Sequence, residues 1–245
     1  MRPAGAGRAQ LASGAQGRSW DEIRKLPDWS GVWVISDESV AEAFGIILGA
    51  GAARVPLTEP YAALLKANAG NRSNNETKCI PVGIPESLQI SIGHEYLFTP
   101  RRVTAIFENG IVRRIDTSGN PHPPESELTH TFAGNSIGRW EGQTLVVDTL
   151  GLSSQAEFVL GLRVTEGTHL SERIFLKDRD TLQLDTVMED PAIFTKPYAY
   201  TRLYKRTTAV PMLEYYPCVD GARDTMTNGF QTGVDLTPPP VGRKP

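Results

Sequence analysis

The stretch Gly134-Asn135-Ser136-Ile137-Gly138 has the G-x-S-x-G spacing of a hydrolase nucleophile elbow. There, a strained turn after a strand presents the serine, and the helix that follows supplies N–H groups to an oxyanion. The surroundings of Ser136 argue against that chemistry. A second turn, Glu141-Gly142-Gln143, and a β-branched run at 144–149 stand where the helix belongs, and His169 is the one histidine after the serine. The stretch is therefore expected to be a sharp turn between strands, with its glycines relaxing the backbone.

Other residues offer acid–base chemistry. His130, in Leu128-Thr129-His130-Thr131-Phe132, alternates with threonines, so a strand there puts it on one face with Leu128 and Phe132. On an apolar face such a histidine serves either as a general base lining a cavity or as a hydrogen-bonded structural group. Asp148 shares its strand face with Thr144 and Val146, and a buried carboxylate there demands a cation. Arg113, Arg114, Arg139 and Arg173 are the candidates. The alternative makes Asp148 or Glu172 the base, with Arg139 holding an anionic or enolate oxygen. For binding a substrate, the candidates are Tyr96, Phe132, Trp140 and Arg113, together with His122. That histidine stands between Pro121 and Pro123 on a turn that either reaches over a barrel mouth or is simply solvated.

Several classes of chemistry find no support. The four histidines, His94, His122, His130 and His169, show no i,i+2 or i,i+4 pairing, so no metal is expected. Phosphate loops, dinucleotide fingerprints and basic aromatic stripes are absent, so the expectation is no cofactor and no nucleic-acid partner. With 25 Lys and Arg against 28 Asp and Glu, the net charge of −3 creates no large field. No apolar run reaches the roughly 18 to 20 residues of a membrane span, so no membrane insertion is expected.

These residues need elements to position them. Residues 1–19, rich in Ala, Gly, Arg and Gln, read as a disordered tail, or as the flexible start of an exported protein whose signal has been removed. A turn of helix at "SWDEI" ends before Pro27, and a first strand is expected at 30–36. "ESVAEAFGIILGA" and "TEPYAALLKANAG" carry helical spacing, the second with Thr58 as its N-cap. From about Ile84 the texture becomes short runs: "SLQISIG", "EYLFTP", "RVTAIFENG", "IVRRIDTSGN", "ELTHTFAGN", "TLVVDTLG", "THLSERIFLKDRD", "TLQLDTVMED" and "AYTRLYKRT". "ENG", "SGN" and "DRD" are expected hairpin turns. Nine or so antiparallel strands hide their edges best by closing, which predicts a mainly β fold, an antiparallel β-barrel with two or three short N-terminal helices. One domain is expected over 20–235, with a proline-rich tail at 236–245. Cys79 and Cys218, each beside a proline, are either a disulfide, contributing up to about 5 kcal/mol by chain entropy, or two buried thiols.

"DWSGVW", "CIPVGIP", "SIGRWEGQTLVVDT", "LSERI", "DTLQLDTVMEDPAIFTKPY" and Glu214-x-x-x-Cys218 together resemble a family of uncharacterised bacterial exported proteins, over most of the chain after Asp28. The family's middle stretch commonly has an aromatic residue or His before the serine and Asp after Glu-Gly. This chain has Asn135 and Gln143 there, so roles of those family side chains are absent. The resemblance implies a periplasmic or secreted β protein and carries over no catalytic role. The Gly-x-Trp of Gly31 to Trp33 is also similar to the first strand of lipocalin-like barrels.

The combined expectation is a cofactor-independent isomerase, lyase or cyclase moving protons on a small, largely apolar or aromatic metabolite inside a barrel. Non-catalytic carriage in the same cavity is the alternative, and a structural envelope protein with a filled interior is the third reading. Oligomeric state is left open.

Overall fold

The computed structural model describes residues 18–47, 55–68, 80–159, 161–207, 224–227 and 231–234. Nine strands, β1 (Val32–Ile35), β2 (His94–Thr99), β3 (Arg102–Phe107), β4 (Val112–Asp116), β5 (Asn135–Glu141), β6 (Thr144–Leu150), β9 (His169–Asp178), β10 (Thr181–Glu189) and β11 (Tyr198–Thr207), form the main sheet. It is a closed barrel in the order β1-β11-β10-β9-β6-β5-β4-β3-β2. Two short hairpins stand apart from it: β7 (Glu157–Val159) with β8 (Leu162–Arg163), and β12 (Asp224–Thr227) with β13 (Gln231–Val234).

Alternation explains the closure. Leu145, Val147 and Thr149 of β6 are buried while the residues between them are half-exposed, and Leu184, Thr186 and Met188 of β10 repeat the pattern. A period of two puts one face of every strand inward, and closure buries that face without leaving an edge. Each fully buried leucine or isoleucine contributes on the order of 1.5–3 kcal/mol. At one end, Trp29 packs edge-on against Tyr96, Phe98 and Trp140 at centroid distances of 5.2, 5.2 and 5.6 Å, and its carbonyl accepts from Trp33 Nε1 at 3.0 Å.

Three α-helices among the described residues accompany the barrel. α1 (Trp20–Ile23) is held by a capping box between Ser19 and Glu22, and α2 (Asp37–Ile47) lies against β11, where Ser39 Oγ accepts from Leu203 N at 2.9 Å. α3 (Glu59–Asn68) packs beside β8. The Thr58 hydroxyl just before it donates to the Ala192 carbonyl at 2.9 Å, so this residue ties the helix start to the β10–β11 connection. No helix among the described residues is long and apolar enough to cross a membrane.

Four local expectations are corrected. "SLQISIG" is a 3-10 turn, Glu86–Leu88, and irregular chain, because Leu88 and the Gln89 side chain are drawn into the barrel. "SGN" is not a hairpin: the Asp116 carboxylate accepts from Ser118 N and from the Ser118 and Asn120 side chains, the chain turns away, and β5 joins β4 in parallel. "ELTHTF" forms no strand, and its Thr131 makes an isolated parallel bridge to Leu152, just past the end of β6. The Ser136 stretch is the strand β5 and not a turn. Its Gly138 lets strands close up, since a Cβ there would lie 2.7 Å from Ile115 Cγ2. Residues 1–17 and 235–245 of the expected tails, with Cys79 and Cys218, lie outside the described residues.

Candidate functional site

Arg113 and Glu172 meet across the barrel interior, from β4 and β9, strands that are not neighbours in the sheet. Both are about as buried as a side chain can be, each at 1% exposure. Arg113 Nη1 donates to Glu172 Oε1 at 3.0 Å and Nη2 to Oε2, while Nη2 also reaches Thr149 Oγ1 at 2.8 Å and Nε reaches Ser136 Oγ at 3.1 Å. Ser136 and Thr149 hydroxyls lie 2.9 Å apart. Burial works against a charged guanidinium here, but the charge and hydrogen bonds of Glu172 outweigh it and raise the Arg113 pKa. Ser136 is thus an acceptor for a buried arginine, which removes the last support for a nucleophile.

A second polar row runs along β11, where Tyr198, Tyr200, Arg202 and Tyr204 alternate inward. Arg202 is fully buried at 0% exposure. It donates through Nη1 to the Thr201 carbonyl at 2.9 Å and through Nη2 to Gln89 Oε1 at 3.0 Å, and its guanidinium lies 4.6 Å from the Tyr200 ring centre. Tyr204 donates to the Leu88 carbonyl at 2.6 Å. Desolvation raises the pKa of Tyr96, Tyr200 and Tyr204, and all three phenols also feel Glu172. That shared coupling shows them converging on one interior region.

His94, at the start of β2, is sealed in an aromatic box. It stacks on Phe107 at 5.0 Å and meets Tyr96 and Tyr204 edge-on at 5.3 and 4.8 Å. Burial alone pushes it down to about 3, so it is neutral at physiological pH. Neither of its ring nitrogens has a protein hydrogen-bond partner, and the same holds for Thr186 Oγ1, Tyr200 OH and Arg202 Nε.

Asp148 faces the other way. On the outer face of β6 it accepts from His122 Nε2 at 3.0 Å and His169 Nε2 at 2.9 Å, so its partners are histidines and not the expected arginine. His122 Nδ1 meets Asn135 Oδ1 at 2.6 Å and His169 Nδ1 meets Glu189 Oε2 at 3.3 Å, completing a chain of five side chains. Partial burial opposes the Asp148 charge, but the two histidines overcome it and hold its pKa well below the usual range. The hydrogen bond to Asp148 raises that of His169. His122 therefore pins the β4–β5 connection to the barrel wall, and does not reach over a mouth.

The remaining candidates scatter. His130 is exposed in the connection before β5, shares no apolar strand face, and lines no interior. Arg139 sits outside, bonded to Glu141 at 2.6 Å, which also accepts from Arg173 at 2.8 Å, so it holds no interior oxygen. Tyr96 and Trp140 are inward, against Trp29, and Phe132 packs half-buried beside the core with its carbonyl accepting from Ile84 N at 2.7 Å. Of the nine candidates, Tyr96, Arg113 and Glu172 come together inside, and His122 and Asp148 come together outside. His94, Gln89, Thr186 and Arg202 were missed. For Arg202 a signal existed: Tyr198, Tyr200, Arg202 and Tyr204 fall at a strict period of two. Among the described residues, no group of three or more His, Cys, Asp or Glu is arranged to hold a metal ion.

No protein-family model matches the chain, and no curated protein is similar to it at a significant level. Among solved structures, it is similar to the crystal structure of wild-type fluorescent protein UnaG, at 14% identity and a TM-score of 0.33 over 76% of this chain and 98% of that one. Two variants of UnaG align at 13% and 14% identity with TM-scores of 0.34 and 0.35. Among the described residues the fold is a closed, mainly antiparallel β-barrel of nine strands accompanied by three α-helices.

Proposed function

We propose that the barrel binds a small, largely apolar molecule in its interior and carries it unchanged. The observation behind this is the set of buried polar atoms without protein partners: His94 Nδ1 and Nε2, Thr186 Oγ1, Tyr200 OH and Arg202 Nε. Each such group costs about 1–3 kcal/mol if left unsatisfied. A guest with a few polar atoms satisfies them, while Leu145, Val147, Ile174, Leu182 and Leu184 offer apolar walls.

Proton-transfer chemistry on the same guest is less well supported. Glu172 has both oxygens engaged by Arg113, and burial pushes His94 down to about 3, which leaves that imidazole a weak base. Incubating the protein with a pool of aromatic, isoprenoid and polyketide-like metabolites and analysing the bound fraction by mass spectrometry tests the reading. A compound retained unchanged supports carriage, an isomer or dehydrated product replaces carriage with catalysis, and a bound fraction without any compound counts against binding. The motif resemblance supports a periplasmic or secreted location as part of the proposal, which cell fractionation checks.

A further inference from the structure

We propose that Arg202, Tyr200 and Thr186 form the head-group subsite of that interior and that it takes the carboxylate of an amphiphilic acid, with Glu42 of α2 as the internal counter-ion the ligand replaces. The inference rests on the binding reading above and adds the ligand class.

The three side chains are placed together by the sheet. Thr186 and Tyr200 are directly paired across β10 and β11, and Arg202 follows Tyr200 on the same inward face. Thr186 comes near enough to the Tyr200 hydroxyl to favour the phenolate slightly, without the geometry of a hydrogen bond. Their hydroxyls and Arg202 Nε are three donors with no protein acceptor.

Charge decides what acceptor belongs there. On the inward faces of the barrel strands, Arg113 and Glu172 neutralise each other through two hydrogen bonds, whereas the hydrogen bonds of Arg202 go to neutral acceptors, the Thr201 carbonyl and the Gln89 amide. The nearest carboxylate to Arg202 is that of Glu42, at 3.5 Å and with 47% of its side chain exposed. Arg202 is fully buried, while the one carboxylate paired with it among the described residues meets a single nitrogen and is half-exposed to water, so its charge is only partly compensated. A carboxylate supplies the missing charge and has lone pairs enough for all three donors, which an alcohol or ketone has not. The apolar walls select an acid with a hydrocarbon or aromatic body.

The test uses matched pairs: decanoic, phenylbutanoic and naphthylacetic acids, each against its primary alcohol, titrated into the full chain by calorimetry at neutral pH. The acids are expected to bind about tenfold or more tighter than the alcohols. Tyr200→Phe should narrow that preference several-fold. Glu42→Gln, a change on an exposed helix position, should widen it, because the competing carboxylate is gone; a merely structural Arg202 predicts no gain. Equal binding of acids and alcohols would overturn the head-group inference while leaving interior binding intact. If no member of the panel binds, the binding reading itself falls, and a preference that Glu42→Gln leaves unchanged removes the counter-ion role.

Discussion

Arg113 and Arg202 are both inward-facing, both essentially without solvent contact, and only one of them is finished. Every nitrogen of Arg113 has a partner and its charge meets a carboxylate in a two-point pair. Arg202 leaves Nε unbonded, and its other contacts are two carbonyl oxygens, the face of Tyr200 and a half-exposed Glu42. A saturated buried ion pair fixes strands relative to one another. An unsaturated one has room for something else, and the difference is visible only when donors are counted atom by atom.

The sharpest test of that contrast is Arg113→Met, which strands Glu172 in the interior and should cost about 3–5 kcal/mol in urea unfolding. The double variant with Glu172→Leu should recover most of it, because a matched apolar pair needs no ion. Arg202→Met should cost less, about 2 kcal/mol, since it leaves behind neutral acceptors and no buried carboxylate. If the two arginine variants prove equally destabilising, the distinction between them fails.

The outer-face chain sharpens the comparison through pH. His169 has its pKa raised above the ordinary 6.5, so its ion pair with Asp148 stabilises fully below that value and is lost as pH rises through the raised one. Asp148 is depressed from 3.8, so the same contribution is present above that value and fades as pH falls further. Being partly exposed, the pair should be worth only about 1 kcal/mol. His169→Asn should flatten the stability profile on the alkaline side of neutrality. The smallest effect belongs to Thr186→Val. Replacing an unpartnered buried hydroxyl with a methyl should leave stability unchanged or raise it by up to about 1 kcal/mol, measured as a urea midpoint.

Much of the barrel was legible because a half-buried strand leaves a period-two trace: β6, β9, β10 and β11 stand where the alternation put them. What misled was alternation without a partner strand. "SLQISIG" and "ELTHTF" alternate as well as any strand, but one is pulled into a turn by Leu88 and Gln89 and the other lies outside the sheet. The site was half legible. Arg113 and Glu172 are each visible as charges within strands, yet their pairing depends on barrel closure, which no local pattern encodes. Asp148 was expected to be buried against an arginine, whereas it lies partly exposed on the outer face of β6 against two histidines. Its histidines come from a distant connection and a neighbouring strand, so their convergence is a product of topology. His94 gave no signal beyond its type, because its isolation is a property of the aromatic rings folded around it.

The first and last strands of the barrel are neighbours: Val32 pairs with Thr207 and Ile35 with Tyr204. A growing chain therefore carries β1 through the synthesis of every other strand of the barrel before a partner for that edge exists. The ring cannot shut until β11 arrives, and its closing contact bears the largest loop entropy in the sheet. Arg202 sits on that last strand, so the head-group corner comes into being in the same event that seals the barrel.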